Sequence, residues 1–198
     1  MTPEPLYFGL DARIWQALVA GLVVAVGWYV NGWQNRREAA AFKAERLRDV
    51  HRALYAEIAA NLANLWDEDR IEAWAVRIVS HMEAEGDSFV PFIPRERHDV
   101  VFDQVVGEIY VLPRQTIDAI VAYYTQVKSV AAMADDMRGE AFRRLPTDRR
   151  VLMYRDYIAM KKQVLGFGRY ANALIAAYAE GGPAAAEAEA RRLGDGAQ

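Results

Sequence analysis

The histidine and acidic side chains of this 198-residue sequence are the first candidates for a metal site or for catalysis. Its histidines, His51, His81 and His98, are far apart, and none belongs to a di-iron or zinc-protease pattern. The chain has no cysteine, which excludes disulfides, thiolate metal sites and a cysteine nucleophile. It also has no phosphate loop, nucleophile elbow or dinucleotide fingerprint. We therefore expect no catalytic, cofactor-binding or metal site, no small-molecule substrate and no enzymatic activity.

Two polar clusters remain as candidate sites. The acidic run 67–69 and Glu72 would suit a divalent cation, but the run lacks the glycine and the alternating oxygen ligands of a calcium loop. Acids in a first helical turn also complement the helix dipole, and we favour that interpretation. Glu57, Asn61 and Asn64 form a polar row at helical spacing. We expect a solvated helix edge there, with an interhelical hydrogen-bond set or part of a small site as the alternative.

Arginines flank a turn that is predicted near Pro146. Each such residue near a bilayer gains about 1 kcal/mol from anionic headgroups, so a lipid-headgroup patch is one hypothesis and plain solvent exposure is the other. Nucleic-acid binding is not expected, because the formal net charge is −3 and no series of stacking aromatics accompanies the arginines. The cluster consists of Arg143, Arg144, Arg149, Arg150 and Arg155.

One apolar segment decides how the rest of the chain is arranged. Residues 14–33 contain no charged side chain. As a helix they would be about 30 Å long, which is the thickness of the hydrocarbon core of a bilayer. The segment therefore predicts a single transmembrane helix, with the lipid bilayer as its partner. Aromatic side chains, which favour the headgroup level, lie at both of its ends: Trp15, Trp28, Tyr29 and Trp33.

Three other interpretations of residues 14–33 fit the sequence less well. A cleaved signal peptide needs a basic start and small residues at a cleavage site, whereas Glu4 is the only charged residue in 1–10 and the segment ends in bulky aromatics. A buried core helix seldom runs this far without a charge. An interfacial helix needs a polar face, which Gln16 and Asn31 alone do not supply.

Positive charge is distributed unevenly around this segment. Residues 1–13 hold one basic side chain, Arg13, whereas the fifteen residues after Trp33 hold five. The C-terminal side is therefore predicted to be cytoplasmic and the N-terminus to lie outside. Arginine outnumbers lysine by 20 to 4, which suggests a GC-rich bacterial genome and hence a bacterial inner membrane. The five flanking residues are Arg36, Arg37, Lys43, Arg46 and Arg48.

Small residues recur every four positions on one face of the predicted membrane helix, at Ala17, Gly21 and Ala25. This spacing lets a second helix approach closely, so the helix would pack against another membrane protein or a second copy of itself. The alternative is that glycine and alanine are simply common in membrane helices.

The membrane helix is expected to continue into the following domain as one rod. No glycine or proline occurs in residues 34–85, and an apolar stripe follows the membrane segment with a mean spacing of about 3.6 residues. The stripe loses phase near Asp67, where we expect a break and an aspartate that caps a new helix.

Further helices are predicted for residues 94–112, from Pro113 onward, and for 148–180. In the last of these, Gly166 and Gly168 favour a bend or a close helix contact.

Two segments are predicted to be irregular. The loop 89–94 is apolar and contains two prolines, so we expect it either to pack across the domain as a lid or to present a strip to a partner. Residues 183–198 have no apolar stripe and are expected to form a flexible tail. The possible partner strip is Phe89, Phe92 and Ile93.

The sequence as a whole predicts an all-α protein. A short outer arm (1–13) and a transmembrane helix (14–33) precede a cytoplasmic antiparallel bundle of about four to five helices (34–182) and the tail. The expected function is a membrane-anchored interaction protein, an accessory or assembly subunit of a larger membrane complex. The alternatives are a signal coupler or phage-type membrane effector that acts through the rod, and a membrane-tethered enzyme or cofactor binder.

Overall fold

The computed structural model describes residues 12–65 and 67–195, with side chains from Trp15 onward. All regular secondary structure in these residues is helical, as the sequence predicts. Most of the predicted N-terminal arm and residues 196–198 of the predicted tail lie outside the described residues. The chain divides into two compact units, Met1–Arg46 and Leu47–Gln198.

The described part of the first unit is the beginning of helix α1, which runs without interruption over Ala12–Asn64. An 18-residue window of this helix has a mean hydropathy of 1.3, and none of the window is buried by the rest of the chain. Among the described residues, α1 is the one helix that is long and apolar enough to span a membrane.

In the second unit, α1 buries one apolar stripe, as its period predicts. Val50, Leu54 and Ile58 are at most 3% exposed, and the partly buried Leu47 and Leu62 extend the stripe at both ends. This face forms one wall of the core.

A short break separates α1 from helix α2 (Glu68–Glu85), in agreement with the loss of phase in the stripe. Asp67 is the N-cap of α2, since its Oδ1 accepts a hydrogen bond of 2.9 Å from the backbone N–H of Arg70. At the other end, Gly86 adopts a φ of +60°, which costs glycine little. A 3₁₀ turn, Gly86–Ser88, follows.

Residues 89–99, called the connector below, are not helical. The prediction of a helix beginning at Pro94 is therefore wrong. Helix α3 covers only Val100–Val105 and passes into a 3₁₀ segment, Val106–Val111. A carboxylate on α1 binds the first free amides of α3, so a distant side chain determines where this helix starts. The β-branched valines favour a short helix.

Pro113 directly precedes helix α4 (Arg114–Arg138), as predicted. Helix α4 buries the apolar face that its sequence indicates, including Ile120 and Val127. The turn after it contains a short helix, α5 (Glu140–Arg143), which buries Phe142.

Helix α6 covers Thr147–Asp195, but its backbone departs from helical geometry at Gly181 and Gly182. The part before this point matches the predicted helix. Residues 183–195 differ from the predicted flexible tail, because they are helical and bury Ala186 completely. Pro183 suits the start of this segment, where its missing N–H is not needed. Alanine is small enough to pack closely without forming a recognisable apolar stripe.

Helix α6 runs antiparallel to α2. It continues past the α1–α2 break at Asp67 and then lies beside the end of α1. The ion pairs show this direction, because Arg155, early in α6, pairs with Glu83 near the end of α2, whereas the later Arg169 pairs with Glu68 at the start of α2. Gly168 marks the predicted close helix contact, since a Cβ there would lie 2.9 Å from Leu62 Cδ2 on α1 and 3.0 Å from a ring carbon of Tyr123 on α4. Nothing lies within 4 Å of such an atom at Gly166.

Two adjoining hydrophobic clusters form the core of the second unit. One joins α1, α3, α4 and the later part of α6, and the other joins α2, α5, the end of α4 and the beginning of α6. Leu62, Leu65 and Val130 contact both clusters. The core is therefore continuous across the break between α1 and α2.

Candidate functional site

Two members of the polar row on α1 bind other elements of the second unit. Glu57 accepts three hydrogen bonds: from the N–H of Val101 at 2.6 Å, from the N–H of Phe102 at 3.0 Å and from the hydroxyl of Tyr124 at 2.7 Å. One carboxylate thus joins α1 to the start of α3 and to α4. The expectation of a solvated edge is wrong for Glu57, and the interhelical alternative is correct.

Asn61 fixes the end of the connector. Its Nδ2 donates to the carbonyl oxygen of His98 at 2.7 Å and to the hydroxyl oxygen of Tyr123 at 3.2 Å. Its Oδ1 therefore faces His98 Nδ1, at 3.1 Å. Asn61 is buried, so the solvated-edge prediction is wrong here too, whereas Asn64 is exposed as expected.

The hydrogen-bonded chain continues from His98 into a pair of charged groups. His98 Nε2 lies 2.9 Å from Glu96 Oε2, and Lys161 Nζ on α6 lies 3.3 Å from the same oxygen. The hydrogen bond from His98 lowers the pKa of Glu96 to about 2, aided by the charge of Lys161 and opposed by partial burial. Glu96 is therefore ionised at neutral pH and holds the connector against α6.

Tyrosines with raised pKa values surround this network. Burial raises the pKa of three of them to about 12. The pKa of Tyr124 is raised as well, because its ring is buried and its hydroxyl donates to the Glu57 carboxylate. All of these phenols are neutral hydrogen-bonding groups at physiological pH. The three with a pKa of about 12, called the core tyrosines below, are Tyr123, Tyr154 and Tyr157.

A separate buried histidine lies near the start of the second unit. His51 is 5% exposed, and its Nε2 is 2.9 Å from the hydroxyl of Thr116 on α4. Its ring also makes an edge contact with Tyr178, with centroids 5.3 Å apart. Burial lowers the pKa of His51 to about 4, so the ring is neutral near pH 7.

Two clefts flank the connector. The first, called the connector cleft, has a volume of about 480 Å³ and lies between the connector, α2 and α6, with Trp74, Phe92 and Ile158 among its apolar walls. The second has a volume of about 540 Å³, lies between the connector and α4, and is lined by Arg95, Arg97 and other side chains. Glu96, His98 and Tyr157 line both clefts.

The residues of the predicted partner strip have different environments. Phe92 is 88% exposed at the rim of the connector cleft, Ile93 is buried, and Phe89 is half-buried against the ring of His81. The carbonyls of Ile93 and Pro94 accept hydrogen bonds from Arg138 on α4. The backbone of the segment is therefore held in place, and Phe92 is its exposed member.

The arginine cluster does not form one surface. Arg150 is completely buried and donates to the carbonyls of Phe89 and Gly86 and to Asp87 Oδ1, so its assignment to an exposed lipid-headgroup patch is wrong. A charged side chain can be buried where it has several such acceptors. Arg144 and Arg155 pair with acidic side chains at 3.3 and 3.6 Å. Arg143 and Arg149 are exposed.

The acidic cluster near the α1–α2 break is used within the fold. Asp67 caps α2, Glu68 pairs with Arg169 at 3.2 Å, and Glu72 pairs with Lys162. Within residues 12–65 and 67–195, no group of three or more histidine, cysteine or acidic side chains is arranged to hold a metal ion. The acids at the start of α2 complement the positive end of the helix dipole.

The predicted membrane residues and the basic residues that follow them are exposed. The small-residue face, Ala17, Gly21 and Ala25, is exposed, and nothing lies within 4 Å of a Cβ built at Gly21. The guanidinium of Arg37 stacks 4.0 Å from the centroid of the Trp33 ring. Exposed as well are the aromatics Trp15, Trp28, Tyr29 and Trp33 and the basic residues Arg36, Arg37, Lys43, Arg46 and Arg48.

The comparisons with known proteins contribute no analogy to this site. No family of proteins, no curated protein and no solved structure matches the chain. Inferences about function therefore depend on the geometry described above.

Proposed function

We propose that this chain is a single-pass, membrane-anchored interaction protein, an accessory or assembly subunit of a larger membrane complex. The observation that carries the proposal is the uncovered apolar window at the beginning of α1. Exposing a continuous apolar helix to water is unfavourable by roughly 25 cal/mol per Å². Lipid, or another helix within lipid, removes this penalty.

The exposure of the window argues against a core helix of a soluble protein. Such a helix is covered by its own chain, whereas no residue of this window is buried. The helix also continues unbroken to Asn64, far beyond the apolar segment, into residues that belong to the core of the second unit. A cleaved signal peptide does not supply part of a core in this way.

The orientation that we propose follows from the basic residues after Trp33. Five lysine or arginine side chains within fifteen residues favour a cytoplasmic second unit and an external N-terminus, in a bacterial inner membrane. The stacking of Arg37 on Trp33 is compatible with a headgroup position for both side chains.

The second unit suits an interaction role better than a catalytic one. The polar groups of its network bind one another: Glu57 holds α3, Asn61 holds His98, and Glu96 binds His98 and Lys161. A reacting group would need to be free to exchange a proton near neutral pH. These contacts instead fix the connector and its clefts in place.

The proposal is tested by the behaviour of the full chain in its host membrane. We expect the protein to stay with membranes after a carbonate wash. A double variant, Leu22→Arg with Val26→Arg, places two charges at the middle of the segment and disfavours membrane insertion by about 5 kcal/mol. We expect the wash to release this variant from the membrane. The control variant, Ala40→Arg with Ala44→Arg, adds the same charges at the same spacing outside the segment. We expect it to stay in the membrane. Release of the wild-type protein would overturn the anchor.

Orientation is tested by fusions at Gln198. A fluorescent cytoplasmic reporter there should be active, and alkaline phosphatase should be inactive. Phosphatase activity at this position would overturn the cytoplasmic assignment while leaving membrane anchorage intact.

The unbroken course of α1 favours a second candidate function, a signal coupler or phage-type membrane effector. A helix that is continuous between the two units could carry a rotation or shift from one to the other. Recovery of a homodimer without companion proteins, together with growth arrest on expression, would favour this candidate. A stable complex with other membrane proteins would favour the accessory subunit.

A further inference from the structure

The connector cleft is a concave site with largely apolar walls. Trp74 on α2 and Ile158 on α6 contribute to its walls, and Phe92 stands at its rim with 88% of its surface exposed. Aromatic side chains that are exposed beside a concave pocket are typical of protein-binding sites, because they bury a large area when a partner docks.

The connector holds Phe92 in this exposed position. Arg138 binds the carbonyl oxygens of Ile93 and Pro94, and Arg150 binds that of Phe89. Residues on both sides of Phe92 are thus fixed to α4 and α6. The side chain is presented by a restrained backbone, which lowers the entropy lost on binding.

Two arginines give the site a charge preference. Arg95 and Arg97 are exposed on the connector and line the second cleft, which adjoins the connector cleft at Glu96. Neither arginine has a side-chain partner in the part of the chain that the structure describes. The neighbouring acids are already paired: Glu96 with Lys161, Asp99 with Lys128, and Asp135 with Arg138. The unsatisfied charge at this surface is therefore positive, and it complements carboxylates.

We propose that the connector cleft binds an acidic segment of a partner protein. An aromatic or aliphatic side chain of that segment packs between Trp74 and Phe92, and neighbouring aspartates or glutamates pair with Arg95 and Arg97. This inference rests on the proposed function, because it names the chemistry of the partner that an interaction subunit would recognise.

The same features argue against two other occupants. Phe92 alone protrudes here, and the rest of this apolar surface is a cleft of about 480 Å³, which suits a single side chain better than a flat bilayer surface. A second copy of the chain would have to offer an acidic segment beside an exposed apolar residue, and in segment 99–103, which has both, the two acids are already paired with Lys128. Both occupants remain outcomes that the test below distinguishes.

The test uses the full chain in its host with a photoreactive phenylalanine analogue at position 92. The same analogue at position 110 is the matched control, because Tyr110 is 80% exposed and does not line either cleft. After irradiation, adducts are separated and the cross-linked peptide is sequenced. We expect an adduct at 92 and not at 110, with at least two carboxylates within a few residues of an apolar side chain in the captured peptide.

Charge reversal tests the role of the arginines. Arg95→Glu with Arg97→Glu should lower the adduct yield about tenfold. Arg143→Glu with Arg149→Glu makes the same change of charge at exposed positions and should leave the yield unchanged. Unaltered capture in the first variant, capture of lipid, capture of a second copy, or no adduct at 92 would each overturn the inference.

Failure of this inference is distinguishable from failure of the proposed function. If the chain remains in the washed membrane but gives no adduct at Phe92, partner binding at the connector cleft is refuted and the proposed membrane anchor stands. If the wild-type chain is released from the membrane, the proposed membrane anchorage is refuted.

Discussion

Removing the buried histidine should change how stability depends on pH. Because burial lowers the pKa of His51 from 6.5 to about 4, the folded and unfolded chains bind the same number of protons at this site above pH 6.5. Below that pH the unfolded chain takes up a proton that the folded chain excludes. The wild type should therefore lose about 1.4 kcal/mol of stability per pH unit between 6.5 and 4, on the order of 3 kcal/mol in total.

The assay is thermal unfolding of the full chain in a mild non-ionic detergent, followed by circular dichroism from pH 7.5 to 4. In a protein of this size, a stability change of 1 kcal/mol shifts Tm by about 2–4 °C. Between pH 6.5 and 4, the Tm of His51→Gln should therefore fall by about 6–12 °C less than the Tm of the wild type. Glutamine retains a partner for the Thr116 hydroxyl. His81→Gln is the control, because the His81 side chain is 62% exposed. Wild-type and His51→Gln profiles that run parallel over this range would refute the assignment.

Three further outcomes are expected from the packing and the polar network. Gly168→Ala should destabilise the fold by about 1–3 kcal/mol in denaturant titrations, whereas Gly166→Ala should stabilise it by up to about 1 kcal/mol; equal effects would contradict the close contact. Glu57→Gln should cost about 1–3 kcal/mol and Glu45→Gln, on an exposed position, close to nothing; equal losses would contradict the role of the carboxylate. Absorbance at 295 nm should show that the core tyrosines ionise near pH 12. Their contribution to the free energy of unfolding should be fully present below pH 10 and lost from pH 10 to 12. Titration near pH 10 in the folded protein would refute their burial.

Features set by neighbouring residues were predictable from the sequence. The N-cap Asp67, the helix start after Pro113 and the end of α2 at Gly86 all depend on local backbone chemistry. The helical stripe of α1 and the close contact at Gly168 follow from periodicity and from the absence of a side chain. Such signals lie within a few residues of the feature that they determine.

Features set by distant residues were not predictable in the same way. The partners of Glu57 are 44 to 67 residues away in the sequence, so nothing beside it distinguishes a buried carboxylate from a solvated one. Arg150 is likewise buried through contacts with carbonyls more than 60 residues earlier. The late start of α3 has the same origin, since its first amides bind a side chain on another helix.

Because α6 lies beside both α1 and α2, the break at Asp67 should not act as a boundary of local unfolding. Contacts of Gly168 with Leu62 on one side of the break, and the pair Arg169–Glu68 on the other, bind the two helices to the same partner. Amide hydrogens after Leu47 in α1 and those in the middle of α2 should therefore exchange with solvent through one shared, cooperative opening.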